Sequence, residues 1–112
     1  ACRKSLLRGK HVHVFPDGHI MPGVCAGILL GQATVDRPAS AVWRELDAGF
    51  SGRPIVGTLA LEGPVAMARL AETHGFSPAV SYASKCHLCW TVREFLFSKG
   101  LFLAELGPAS IY

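Results

Sequence analysis

His11-Val12-His13-Val14-Phe15-Pro16-Asp17-Gly18-His19-Ile20-Met21 decides the fold. Residues 11–15 alternate between apolar and polar, the period of an extended strand. Pro16-Asp17-Gly18 then supplies turn chemistry. Proline presets one backbone angle, aspartate bonds to backbone two residues on, and glycine tolerates a left-handed φ. His19-Ile20-Met21 is extended again. The pattern predicts a β-hairpin. Val12 and Val14 should share one face, with His11, His13 and Phe15 on the other.

A hairpin brings together whatever flanks its two strands. Cys2 lies before the first strand and Cys25 after the second, so both are expected on the same side. Upstream, residues 1–10 are polar and basic, with Arg3, Lys4, Arg8 and Lys10, and the chain is expected to enter mid-structure. Downstream, Pro22 to Gly31 is punctuated by Gly23, Gly27 and Gly31. This reads as a loop with a short strand at Ile28–Leu30. Its glycines fit an ordinary series of turns, or backbone passing close to something bulky.

The apolar period then becomes helical. Asp36-Arg37-Pro38 opens a helix over Ala39–Ala48, with Ala39, Val42, Trp43 and Leu46 on one face and Gly49 as the stop. Pro54 begins a second over Ile55–Leu61, and Gly63-Pro64 a third over Val65–Thr73. Ser77-Pro78 breaks the chain before Ala79–Ala83, a short β-capable stretch. Ser84-Lys85-Cys86-His87-Leu88-Cys89-Trp90 leads into a last helix over Thr91–Lys99. Leu101–Tyr112 reads as irregular, with Gly107-Pro108 as a breaker. A hairpin followed by several short helices is an α+β arrangement, not a βαβ array.

Cys86 and Cys89 have C-x-x-C spacing where a loop enters a helix. Backbone N–H groups and the positive helix end favour thiolates there. With Cys2 and Cys25 they account for all four cysteines. The expectation is one four-cysteine site, Cys2, Cys25, Cys86 and Cys89, joining the hairpin to the C-terminal helix. Such a donor set suits structural zinc or an iron–sulfur cluster. Spacing alone does not separate them. A zinc ribbon usually carries two C-x-x-C knuckles, whereas a whole hairpin splits the first pair here. The glycines around Cys25 lean toward a larger cofactor, because cluster sulfurs accept backbone N–H bonds.

The chain has 112 residues, half of them hydrophobic and 17% charged, which suits one folded domain with a modest core. Its net charge is +3, and apart from the first ten residues the basic residues are scattered, so no nucleic-acid partner is expected. No apolar run approaches the ~20 residues that span a bilayer. No signal-peptide pattern opens the chain, and a cytoplasmic address follows by default. In that reducing compartment cysteines serve as ligands or redox groups more often than as disulfides. His11 and His13 alternate on one strand and could together bind metal, but nothing else points there; His19 is expected to be exposed, His74 to cap a helix end, and His87 to tune the cysteines or face water. The carboxylates fit helix surfaces, Arg93 and Glu94 fit a solvated helix face, and Trp43 and Trp90 fit the core. No phosphate loop, Ser-His-Asp arrangement or H-E-x-x-H motif is present.

The run His13-Val14-Phe15-Pro16-Asp17-Gly18-His19-Ile20-Met21-Pro22-Gly23-Val24-Cys25 resembles the "h-v-x-P-D-G-x-v-x-P-x-C" signature of radical SAM proteins. There it lies in the C-terminal auxiliary-cluster region called SPASM, or twitch in its shorter form. Tyr82-Ala83-Ser84-Lys85-Cys86-His87-Leu88-Cys89-Trp90-Thr91-Val92-Arg93 is similar to the closing segment of some uncharacterised members. The resemblance implies an auxiliary 4Fe–4S cluster on Cys2, Cys25, Cys86 and Cys89, near the substrate of the radical reaction. The core motif C-x-x-x-C-x-x-C is not in this sequence, so the chain alone is not expected to cleave S-adenosylmethionine. On this reading residues 1–112 are a single domain, a C-terminal fragment or free-standing relic of a larger protein, and the parent radical SAM core is its partner.

Two other readings stand beside it. One is a structural or interaction module with reduced or zinc-bound cysteines, forming a homodimer or partner surface through exposed hydrophobics. The other is a thiol–disulfide oxidoreductase, since a strand followed by C-x-x-C at a helix start is the local thioredoxin pattern.

Overall fold

The structure, a computed structural model, describes residues 2–9 and 11–112. Lys10, one of the basic residues of the opening segment, lies outside the described residues, as does Ala1. The fold is α+β. Among the described residues it has a three-stranded antiparallel sheet and five α-helices.

The hairpin forms as the alternation predicts. β1 (Val12–Val14) pairs with β2 (His19–Pro22), placing His13 opposite Met21 and Val14 opposite Ile20. Asp17 holds the turn: its carboxylate accepts the backbone N–H of His19 at 3.0 Å and contacts the His19 ring nitrogen at 2.7 Å. Gly18 has φ +90°, and a Cβ there would strike the carbonyl of Ala33, so the turn requires glycine. β1 is an edge strand, and Val12 and Val14 are exposed, as are their neighbours His11 and His13.

The third strand is β3 (Gly31–Gln32), just after the Ile28–Leu30 stretch expected to be extended. Ile28–Leu30 is buried backbone with other partners. Leu29 N–H donates to the Glu105 carbonyl at 2.7 Å, and Leu30 N–H to the Ile20 carbonyl at 2.8 Å. The carbonyls of Leu29 and Leu30 both accept from the Arg53 guanidinium. The Leu30 N–H thus continues the pairing with β2, while the Glu105 carbonyl and the Arg53 guanidinium take the Leu29 N–H and the two carbonyls.

The basic opening segment is a short helix, α1 (Arg3–Leu7), which buries Leu6 and Leu7. α2 (Ala39–Gly49) and a 3₁₀ turn (Phe50–Gly52) lead to α3 (Pro54–Leu61) and α4 (Pro64–Glu72). Both α3 and α4 carry proline in the first turn, as punctuation predicted. α3 is the central element. Ile55, Val56, Gly57, Leu59 and Ala60 are all buried. Gly57 lets the helix lie against the Phe50 and Ser51 carbonyls, which a Cβ would meet at 2.7 and 2.9 Å.

Residues 79–83 do not form a strand. The sheet consists of β1, β2 and β3, and with no ladder to join, Val80 is fully exposed. The last helix, α5 (Lys85–Ser98), begins six residues before Thr91, because Ser84 caps it. The Ser84 hydroxyl accepts the His87 N–H at 3.1 Å. Both cysteines of the C-x-x-C therefore lie within the first turns of a fourteen-residue helix. Trp43 and Trp90 are half-buried, at the margin of the core rather than inside it. No helix among the described residues is long and apolar enough to cross a membrane.

Candidate cysteine-lined site

Three separate segments supply the cysteines. Cys2 immediately precedes α1, and its backbone N–H donates to the Leu59 carbonyl of α3 at 2.8 Å. Cys25 follows β2 in the glycine-punctuated loop. Cys86 and Cys89 sit on α5, three residues apart and hence on one helix face. All four line a single cavity of 310 Å³, together with Trp90 and Arg93. Cys89 is buried, Cys2 and Cys25 are half-buried, Cys86 is exposed, and none is in a disulfide.

Burial disfavours the thiolate form at two of these cysteines. Burial pushes the Cys25 thiol up from its ordinary value, with the Arg93 charge pulling it back and the neighbouring thiols adding to the rise. Burial likewise raises Cys89, against the same Arg93 charge. At Cys89, desolvation outweighs the Arg93 charge, so burial opposes the thiolate that a helix start was expected to favour. A bound cation would have to displace these protons, as thiolate-ligated metals do.

A single ion requires its donors in one tight shell; zinc sits about 2.3 Å from each sulfur. Among the described residues no three His, Cys, Asp or Glu side chains are grouped to hold one ion. All four cysteines nonetheless line the one cavity. The donor type, cysteine sulfur, is one that both zinc and iron–sulfur centres take.

Arg93 corrects the expectation of a solvated helix face. It is 5% exposed. Its Nη1 donates to the Ala26 carbonyl at 2.6 Å and to Tyr112 Oη at 2.8 Å, while its Nε has no hydrogen-bond partner. Tyr112 Oη in turn donates to the Gly27 carbonyl at 2.7 Å. The Trp90 ring lies 5.2 Å from the guanidinium carbon and stacks on Tyr112 with centroids 5.0 Å apart. Gly27, at φ +89°, leaves the space this requires, since a Cβ there would run into the Tyr112 ring. Helical spacing is the signal that finds Arg93: it lies four residues beyond Cys89 and seven beyond Cys86, on the same face.

The histidines remain outside this cavity. His11, His13 and His74 are exposed, and His19 is held by Asp17. His87 lies within the C-x-x-C, but its Nδ1 accepts the Ala83 N–H at 3.1 Å, tying it to the capping loop. Glu105 is a second correction. Instead of lying on a helix surface it is buried, and its carboxylate accepts the N–H groups of Ile55 and Val56 at the start of α3. Compared with known protein families, curated proteins and solved structures, the chain matches none.

Proposed function

We propose that this chain is an auxiliary iron–sulfur domain of the kind found in the C-terminal region of radical SAM enzymes. It holds one 4Fe–4S cluster on Cys2, Cys25, Cys86 and Cys89 and is not catalytic alone. The observation that carries this reading is that all four cysteines, drawn from three separate segments, line one cavity. The P-D-G hairpin followed by Cys25 adds the family resemblance. When bound, the cluster supplies one-electron transfer or an electrophilic contact beside a substrate held by a partner core domain.

The oxidoreductase reading has less support. Among the described residues no strand follows the motif to complete a thioredoxin-like sheet. The strand that should precede the motif is also not formed.

Anaerobic reconstitution with iron and sulfide tests the proposal. The expected product carries about four irons per chain and absorbs broadly near ~400 nm. Cys2→Ala should lower the iron content; unchanged content removes Cys2 from the site. Colourless protein holding one zinc would replace the cluster by a structural ion. Protein holding neither metal, yet able to reduce insulin disulfides, would favour thiol–disulfide exchange.

A further inference from the structure

Arg93 is a buried cation whose anchors are all neutral. Its hydrogen bonds go to a backbone carbonyl and a phenol, and no carboxylate among the described residues pairs with it. Burying a charge without a counter-charge is costly, and an unpartnered buried N–H adds to that cost. The fold nevertheless invests in the arrangement. Gly27 makes room for Tyr112, Tyr112 fixes the guanidinium, and the Ala26 carbonyl that also holds it belongs to the residue beside Cys25. The side chain lines the same cavity as the four cysteines. No other arginine among the described residues lines that cavity.

A group bound by four thiolates is anionic overall, because the thiolates outweigh the charge of a zinc ion or an oxidised cluster core. An iron–sulfur centre becomes more negative still on reduction. We propose that Arg93 is the charge partner of the thiolate-bound centre, offering its free Nε–H to it and raising its reduction potential. The inference rests on the cluster reading above and goes beyond it by assigning the residue that tunes the centre. Arg93 is a positioning and electrostatic residue here, not a ligand. Net charge and hydrogen bonds to sulfur are among the main determinants of cluster potential, so its loss should be read there first.

The experiment uses the whole chain, reconstituted anaerobically with iron and sulfide, with the potential followed by electron paramagnetic resonance. Arg93→Gln removes the charge and Arg93→Lys keeps it. With Gln, the potential should fall by at least about 59 mV, a tenfold change in the ratio of reduced to oxidised cluster for one electron. With Lys, it should recover at least half of that fall. Equal potentials in wild type and Arg93→Gln overturn the inference and leave the cluster reading intact. A wild-type chain that takes up no iron overturns the cluster reading, and this inference with it. A second measurement needs no variant and stands even where Arg93→Gln fails to fold. In wild-type protein grown with ¹⁵N-arginine, the reduced cluster should show a ¹⁵N hyperfine coupling. Its absence overturns the contact.

Discussion

The carboxylate of Glu105 accepts the backbone N–H of Val56 at 2.7 Å, linking the irregular C-terminal segment to the first turn of the central helix. The same carboxylate lies 3.2 Å from the Ile55 N–H, and Arg53 Nε stands 3.9 Å away. The first N–H groups of a helix have no partner within it, and those of α3 are buried. Replacing Glu105 with alanine should therefore leave two buried donors unsatisfied. The expected cost is about 2–4 kcal/mol in chemical denaturation. Glu105→Gln keeps an acceptor and should cost less. A loss within about 0.5 kcal/mol for the alanine variant would show that the cap is dispensable.

The hairpin turn carries a pH dependence of known sign. The His19 backbone N–H, aided by its ring, holds the Asp17 carboxyl below the ordinary carboxylate range. A depressed folded-state pKa gives stability that is fully present above the unfolded value, about 3.9, and is lost as pH falls through the folded value. Nuclear magnetic resonance titration of the Asp17 carboxyl should find its midpoint below 3.9 or so. In Asp17→Asn that acid-side contribution should vanish, and the two proteins should then differ less at low pH than at neutral pH.

Gly27→Ala tests the packing behind Arg93. The substitution places a methyl group at φ +89° against the Tyr112 ring. We expect a loss of about 1–3 kcal/mol from backbone strain and displaced packing. Tyr112 stacks on Trp90, so the tryptophan emission should change as well. A fully wild-type emission spectrum would mean that Tyr112 had not moved.

Metal loading should stabilise the chain. A ligand that binds the folded state and not the unfolded one raises the melting temperature by mass action. Reconstituted protein should melt higher than the metal-free form, and removal of the metal with a chelator should reverse the gain. The Cys25→Ser variant should show a smaller increment. Identical melting curves with and without metal would argue against a centre shared by distant segments.

Local chemistry made much of this fold legible. Pro38, Pro54 and Pro64 mark helix starts and Pro16-Asp17-Gly18 marks the turn, each through the backbone angles it prefers, whereas Gly49 closes α2 without a left-handed φ. α1 was hidden because five residues offer no period. Its Leu6 and Leu7 acquire meaning only where the segment packs on α3 and β2. Ala79–Ala83 misled in the opposite sense, since strand propensity without a neighbouring ladder leaves a loop. In the cysteine-lined cavity, Cys86 and Cys89 announce themselves by spacing. Cys25 follows β2 directly, whereas Cys2 is set by α1 and its bond to α3, which the return of the hairpin does not fix. Arg93 and Glu105 did not stand out, because a charged residue ordinarily faces water. Their burial depends on Ala26, Tyr112, Ile55 and Val56, partners far away in sequence.

The cavity wall includes residues 2, 25, 86 and 89, and the phenol that holds Arg93 on that wall comes from residue 112. Such a wall has a place in time as well as in space. Contacts between neighbouring segments, such as α4 with α5, close short loops and form early. Bringing Cys2 and Cys25 to α5 closes loops of some sixty residues or more, whose entropy is lost before any contact repays it. The pocket is thus expected to close late in folding, with the thiols scattered until α5 has docked.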